Sequence, residues 1–442
     1  MTFSRIIARR ALSPLALVAV LGAGAAGVHA PAMAQKKEKP APAPKVNYSK
    51  GFVAAYKPIE TTMGAAAPDF AAAKAAVPAL IAAAQTPDDR FAAGQMLYTV
   101  GQKSSDPALA AQGIDMVLAS GKADRTASGQ YSYVGGQLAF NAKDYAKARN
   151  LYQAAIDAGF TSTKDDPQLS LADAYFADRQ IPAGLKYLSD TIAARKAAGQ
   201  PVSEALYKRG LATAYNNKLN AEAQQWAVQY ASAYPTQASW GDAIAIAINT
   251  GRYQNPEMLD LLRLARRTNT MRTQGQYLEY IDTADARKLP QEVVQVIDAG
   301  IAAKLLNSDQ QLVKDARSFA AKRIASDRAE LPSLQRDANA PTAKLVTVMA
   351  GADTLLSYGK FAEAETLYAK AATMPGADLP LVMTRLGIAQ IEQGKHAEAK
   401  ASLAKVTGLR QPIANLWALY ATQKAAGTVI APAPTGAAAV SR

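Results

Sequence analysis

The sequence predicts an all-α solenoid of stacked antiparallel helix pairs with disordered ends, and three observations lead to that fold class. Between its ends the chain is rich in alanine, leucine, glutamine, lysine and glutamate, with apolar residues at the three- and four-residue intervals of amphipathic helices. No stretch of alternating β-branched residues competes with this pattern. The segment GKFAEAETLYAKAA from Gly359 is matched by GKHAEAKASLAKV from Gly394, an offset (394 minus 359) of 35 residues. Such a period is typical of helical hairpins that bury their apolar faces only by stacking.

The N-terminal segment 1–34 predicts a signal peptide. Arg5, Arg9 and Arg10 form a basic head without acidic residues, an apolar run follows, and Ala32-Met33-Ala34 places cleavage near Ala34–Gln35. A membrane anchor fits less well, because proline and glycines interrupt the run and no other stretch resembles a membrane span. We therefore expect a periplasmic or secreted protein. The general secretory and twin-arginine routes both remain open.

Both ends of the mature chain are expected to be disordered. Residues 35–50 begin with QKKEKPAPAPK, a linker that cannot bury a core, and the tail 427–442 has the same alanine- and proline-rich character. The formal charge of +13 falls to +10 without the three arginines of the signal. This surplus favours anionic partners such as lipid head groups, glycans or acidic proteins, and export argues against nucleic acid.

The repeated segments resemble the tetratricopeptide repeat (TPR), as found in exported bacterial TPR proteins. The residues that match its small, aromatic and turn positions in the last two units are Ala352, Gly359, Phe361, Ala364, Tyr368, Ala371, Pro375, Leu386, Gly387, Gly394, Ala399, Leu403 and Pro412. Upstream, the match continues with less fidelity at Gly136, Tyr145, Ala148, Tyr152, Ala155, Ala172, Tyr175, Ala212, Tyr215, Ala223 and Pro235. These positions should be core, since a small residue lets two helices approach while an aromatic ring fills the groove.

The quality of the match divides the chain. Residues 342–426 form clearer TPR-like repeats, whereas 51–330 are degenerate helical repeats. The segment 236–340 barely conforms to the TPR pattern. The tryptophan of the family's first helix is missing throughout. The stretch LPSLQRDANAP from Leu331 to Pro341 is interpreted as a break between two sub-arrays.

The side chains needed for most enzyme chemistry are missing, so we expect no catalytic residue, no cofactor and no metal site. The chain has no cysteine, and His396 is the only histidine after the signal. Its place matches that of Phe361 in the preceding repeat, which predicts a packing residue. No nucleophile elbow or phosphate-binding glycine loop occurs, and Gly135-Gly136 is interpreted as a helix contact.

Acidic pairs are the remaining route to catalysis, because two carboxylates suffice to cleave a glycosidic bond. Asp88-Asp89 and Asp165-Asp166 each lie next to a proline at an expected helix start. Acidic side chains at that position cap helices and favour the positive end of the helix dipole. A glycan-cleaving enzyme therefore stays only as a weaker alternative.

The TPR resemblance implies a concave face, lined by first helices, that binds a protein or peptide partner in the cell envelope. The candidate residues on this face are Tyr175, Arg179, Lys208, Arg209 and Asn216. The carboxylate clamp of some family members is not supported, because Gly210 is followed by leucine and not asparagine.

A second candidate surface is basic. Arg263, Arg266 and Arg267 lie three and four residues apart and are expected to share one helical face, with no acidic residue following before Glu279. Such a face could bind anionic lipid, cell-wall polymer or an acidic partner, although it could also be an ordinary solvated helix surface. Besides the weaker enzyme alternative, two functions remain open: a protein scaffold and a basic envelope protein.

Overall fold

A computed structural model describes residues 46–431 of the chain. The expected signal peptide, the linker up to residue 45 and the tail from residue 432 lie outside the described residues.

Twenty α-helices form nearly all of the described chain. In order they are α1 (Lys50–Gly64), α2 (Phe70–Ala83), α3 (Pro87–Lys103), α4 (Pro107–Ala119), α5 (Arg125–Asn141), α6 (Tyr145–Asp157), α7 (Pro167–Ala177), α8 (Ile181–Ala197), α9 (Glu204–Asn216), α10 (Asn220–Ala233), α11 (Gln237–Thr250), α12 (Asn255–Arg267), α13 (Gln274–Ala284), α14 (Pro290–Ala302), α15 (Gln311–Asn339), α16 (Leu345–Ser357), α17 (Phe361–Ala372), α18 (Leu379–Glu392), α19 (His396–Leu403) and α20 (Gln411–Ala425). A 3-10 helix, Gly408–Arg410, precedes α20.

About half of the helices begin at a residue whose side chain caps the helix, and the two acidic pairs show how. The Thr86 hydroxyl accepts from the amide of Asp89 at 3.0 Å, and the Asp89 carboxylate accepts from the amides of Thr86 and Ser49, each at 3.1 Å. Asp166 caps α7 by accepting from the amide of Gln168 at 3.0 Å. Because Asp89 and Asp166 satisfy backbone donors at helix starts, the capping interpretation is confirmed for one residue of each acidic pair.

Within a helix pair, a glycine of the first helix faces a large side chain of the second. A Cβ atom added to Gly136 would lie 2.6 Å from the ring of Tyr152, and one added to Gly210 would lie 2.5 Å from that of Trp226. Gly387 approaches Leu403 in the same way, at 2.6 Å. Gly136 and Gly387, two small residues expected from the TPR resemblance, are therefore core contacts as predicted, whereas Ala212 is exposed.

The turn of each repeat needs a residue with left-handed backbone. Gly359 and Gly394, the residues that open the repeated segments, have φ of +75° and +77°. Glycine adopts this conformation without the clash of a Cβ atom, which explains why it recurs there.

Helices pack against their neighbours along the chain, as in a solenoid, but the C-terminal half also closes on itself. Helix α20 contacts α10, α11 and α12, and α18 contacts α12. The indole of Trp240 donates to the Gln423 amide oxygen at 3.0 Å, and that of Trp417 donates to the Asp260 carbonyl at 3.1 Å. The elements α10 to α20 thus form a closed array, which we call the ring.

The predicted all-α solenoid of helix pairs is confirmed, and one boundary inside it is corrected. Leu331–Asn339 belongs to α15, which passes through Pro332, so it is not a break. Pro332 is exposed, and water can therefore bind the carbonyl that proline leaves without its helical donor. One buried core extends from Ala172 to Ala421 across this region, so the two predicted sub-arrays share their apolar interior.

The predicted tail begins too early. Residues 427–431 are described, and the amide of Ala431 donates to the Pro235 carbonyl at 3.0 Å while its carbonyl accepts from the amide of Gln237 at 2.8 Å. These two bonds attach the end of the described chain to the start of α11.

Candidate functional site

The first candidate group from the sequence lies on and after α7 and α9. Tyr175 is half-buried on α7, with its ring 5.1 Å from the guanidinium of Arg149. Arg179 lies beyond the end of α7 and is exposed, with φ of +63°, so it belongs to the turn and not to the first helix. These two side chains do not form one continuous helical face.

The candidates on α9 are exposed, and two of them are already paired. Lys208 forms a salt bridge of 2.9 Å with Glu204, and Arg209 forms one of 2.9 Å with Asp173. Asn216 is the exposed last residue of α9. Whether these residues bind a partner stays a prediction.

The expected basic face on α12 is wrong for Arg263, whose exposure is 3%. Arg267 is half-buried and forms a salt bridge with Glu392 of α18, and Arg266 donates to the side-chain oxygen of Gln295 at 3.2 Å. Carboxylates from other helices pair with these arginines, namely Glu292 of α14 with Arg263 and Glu392 of α18 with Arg267. The three arginines therefore do not form one exposed cationic surface.

Arg263 belongs instead to a buried ionic network centred on Asp260, which is 0% exposed. Its guanidinium donates to Asp260 at 3.0 Å and to both carboxylate oxygens of Glu292 at 2.8 and 2.7 Å. The Tyr280 hydroxyl donates to Glu292 at 2.7 Å. This half of the network connects α12, α13 and α14.

The other half of the network crosses the ring. Arg385 of α18 donates to both oxygens of Asp260 at 3.4 Å and to Asp353 of α16 at 2.7 Å. Arg410 also contacts Asp260 and donates to Glu257 at 2.7 Å. Asp260 thus joins residues that are 125 and 150 positions away in sequence.

Charge pairing keeps these buried acids ionised. Burial raises the pKa of Glu292, but the charge of Arg263, its paired hydrogen bonds and the Tyr280 hydroxyl outweigh burial and lower that pKa to about 2. Burial likewise opposes ionisation of Asp260, yet the charges of Arg385, Arg410 and Arg263 lower its pKa below the ordinary value. Burial lowers the pKa of Arg385, but Asp260 and Asp353 outweigh it and raise that pKa.

A cavity of about 1050 Å³ lies inside the ring, beside this network. Its walls come from α12, α13, the α13–α14 turn, α15, α16 and α18, and Asp353 and Arg385 belong to both the network and the wall. Apolar side chains cover much of the rest, including Leu259, Leu278 and Leu312. The cavity slightly exceeds the roughly 300–1,000 Å³ of typical ligand pockets.

The charged groups on the cavity wall differ in their pairing. Arg287 forms a salt bridge with Asp285 at 2.9 Å, Lys288 faces the same carboxylate at 3.9 Å, and Arg385 is held by the network. Glu279 and Asp282 of α13 line the cavity, are exposed and have no ionic or hydrogen-bonding partner for their carboxylates among the described residues. The cavity therefore presents unpaired negative charge beside apolar surface.

Residues 46–431 contain one histidine, His396, and no cysteine. No group of three histidine, cysteine, aspartate or glutamate residues there has the arrangement to hold a metal ion. His396 is half-buried, as expected for a packing residue. None of the helices in residues 46–431 combines the length and apolar character needed to cross a membrane.

No protein-family model matches the sequence, and no curated protein matches it either. Among solved structures, the chain is 15% identical to one in the APC/C hetero-tetramer Cut9-Hcn1, covering 78% of this chain and 69% of that one, with a TM-score of 0.23. It is 10% identical to the P58(IPK) TPR domain, covering 84% of this chain and 97% of that one, also with a TM-score of 0.23. Against Naa15/Naa10 bound to HypK-THB the identity is 11%, the coverage 78% and 62%, and the TM-score 0.22. At these scores the fold class rests on the helices of this chain itself, which form an all-α array of TPR-like helix pairs.

One feature of the sequence, separate from its apolar periodicity, indicated the ionic network. Asp260 and Arg385 each occur among mainly apolar residues, as in LDLLRLA around Asp260. A lone charge among buried residues needs a buried partner, so such positions indicate an internal ion pair. The distant partners Arg385 and Arg410 could not be identified from the sequence, because only closure of the ring brings them to Asp260.

Proposed function

We propose that the chain is a non-enzymatic scaffold that binds a peptide segment of a protein partner in the cavity of the ring. The observation that carries the proposal is the cavity itself, whose wall combines exposed polar groups with apolar side chains from helices on both sides of the ring. Leucine side chains can be covered by a peptide, and the exposed amide of Asn255 on the rim can both donate to and accept from a peptide backbone.

The alternative, an anionic lipid or polymer held by the arginines of α12, is less well supported. Arg263 is buried between two carboxylates, and Arg267 is paired with Glu392. Releasing either arginine to an external anion would leave a carboxylate unpaired in a shielded environment, which is costly.

Peptide selection on the purified protein tests the proposal. A displayed random peptide library should yield binders, and Ala350→Trp should weaken them at least tenfold because Ala350 is exposed and lines the cavity. Ala362→Trp is the matched control, since Ala362 is an exposed residue of α17 that does not line it. Selected peptides that bind both variants equally well would contradict the proposal.

The proposed place of action is the periplasm or the outside of the cell. The basic head, apolar run and small-residue cleavage pattern of residues 1–34 support it. N-terminal sequencing of the protein from a cell-envelope fraction should begin near Gln35. A mature chain that still begins at Met1 in the cytoplasmic fraction would be inconsistent with export.

A further inference from the structure

We infer that the peptide held in the cavity is cationic, with lysine or arginine next to an apolar side chain. This inference rests on the proposed function and adds the chemistry of the partner. Three properties of the cavity wall lead to it: the pairing of its basic groups, the lack of partners for two of its acidic groups, and an exposed apolar strip.

Each basic group of the wall lies beside a carboxylate. Arg385 lies between Asp260 and Asp353, with its closest contact of 2.7 Å to Asp353. Arg287 and Lys288 both face Asp285. An anionic ligand would have to compete with Asp285, Asp260 or Asp353 for each of these cations.

Two acidic groups of the wall are available. Glu279 and Asp282 are three residues apart on α13, so their side chains share one face of that helix. Both line the cavity, and neither carboxylate has a described partner. An ammonium or guanidinium group placed between them would gain charge-assisted hydrogen bonds without breaking an existing ion pair.

The apolar strip lies on α15. Leu312 and Ala316 line the cavity, and Phe319 continues the same helical face at the next turn. Leu312 is 53% exposed and Phe319 is 46% exposed, whereas most large apolar side chains of the ring are buried. Such exposed apolar surface favours a ligand that brings an apolar side chain as well as charge.

The chain as a whole is strongly basic, with a formal charge of +13. At physiological ionic strength that charge is screened beyond about 8 Å, so binding in the cavity depends on the nearest groups. The overall charge gives no long-range attraction for a basic peptide. We therefore expect discrimination between peptides to arise from the local contacts of the two carboxylates.

Fluorescence anisotropy with two synthetic peptides tests the inference. The probes are fluorescein-labelled GKLAKLG and its glutamate counterpart GELAELG, measured with the full-length protein at low and moderate salt. The lysine peptide should bind at least tenfold more tightly than the glutamate peptide. The double variant Glu279→Gln, Asp282→Asn should lose most of that preference and most of the salt dependence.

The control variant Glu60→Gln, Glu330→Gln changes the net charge by the same amount at exposed glutamates that do not line the cavity. It should keep the preference for lysine. Circular dichroism establishes that both double variants are folded, which is expected because all four side chains are exposed.

The outcomes separate the inference from the proposed function. If library peptides bind in the cavity but the lysine and glutamate probes bind equally, the cationic inference is overturned and the scaffold proposal stands. If the library selection and both probes give no binding, both fail. A concentration-dependent dimer that Ala350→Trp dissociates would identify a second copy of this chain as the occupant and would also overturn the inference.

Discussion

At the residue scale, Gly210 shows how closely the helices of a pair approach. A Cβ atom at this position would lie 2.5 Å from ring atoms of Trp226, so Gly210→Ala must displace a buried indole. We expect a loss of about 1–3 kcal/mol in the free energy of unfolding, as is usual for overpacking. Urea denaturation measures it, with Gly51→Ala as the control because a Cβ atom there meets nothing within 4 Å. Equal stability of the two variants would contradict the close contact.

The buried carboxylate of Glu292 makes a second residue-scale prediction, on acid stability. Its pKa is about 2 in the folded protein and about 4.5 when unfolded, so the unfolded state binds more protons between these values. The stabilisation it gives is complete above pH 4.5 and is lost as the pH falls towards 2. At about 1.4 kcal/mol per pH unit, the loss is on the order of 3 kcal/mol.

Glu292→Gln tests this directly through the free energy of unfolding measured from pH 6 to pH 2.5. The variant should be less stable at neutral pH, by about 3–5 kcal/mol, because Arg263 loses its charged partner inside the protein. Its free energy of unfolding should also change less with pH below 4.5. Asp298→Asn is the control, since its pair with Arg317 is about half exposed. An unchanged acid slope in the Glu292 variant would show that this carboxylate is not responsible.

At the element scale, α15 and α18 differ strongly in the number of their residues that are buried. In the 29 residues of α15 only Val313, Ala320 and Ala338 are buried, whereas every residue from Val382 to Ile391 of α18 is buried. Helices with few buried contacts open locally at low free-energy cost. Amides of residues 321–337 should therefore exchange with deuterium at least tenfold faster than those of 382–391. Equal protection of the two segments in hydrogen-exchange mass spectrometry would argue against this.

The same two helices show how much of the fold could be predicted from the sequence. The repeat offset and the small residues of α18 and α19 are local features of the sequence, and they predicted that these two helices pair. In α15, Pro332 suggested a break because proline removes a helical donor, but exposure of the helix permits it to continue. The cavity and the Asp260 network could not be predicted, because they bring together residues more than 100 positions apart.

At the scale of the whole molecule, closure of the ring should couple distant helices. Trp417→Ala removes a buried indole, its bond to the Asp260 carbonyl and its edge-to-face contact with Tyr420. We expect a loss of about 3–5 kcal/mol in the free energy of unfolding. Hydrogen exchange should accelerate in α10–α12 as well as in α18–α20, although α10 begins almost 200 residues before Trp417.

Helices α1–α6 provide the internal control for that experiment. Their buried residues form smaller clusters separate from the core that extends from Ala172 to Ala421. Their exchange should change little in the Trp417 variant, as expected for the nearest-neighbour coupling of a repeat array. Acceleration confined to α18–α20 would show that the ring contacts do not transmit stability.

Closure also restricts how this protein can evolve. An open repeat array lengthens by duplication of one helix pair, because each pair contacts only its neighbours. Between α12 and α18 an added pair would separate Asp260 from Arg385 and Arg410, leaving buried charges without partners. Gain or loss of repeats is therefore far better tolerated among α1–α8, while the C-terminal half must change by substitution, with its repeat number fixed.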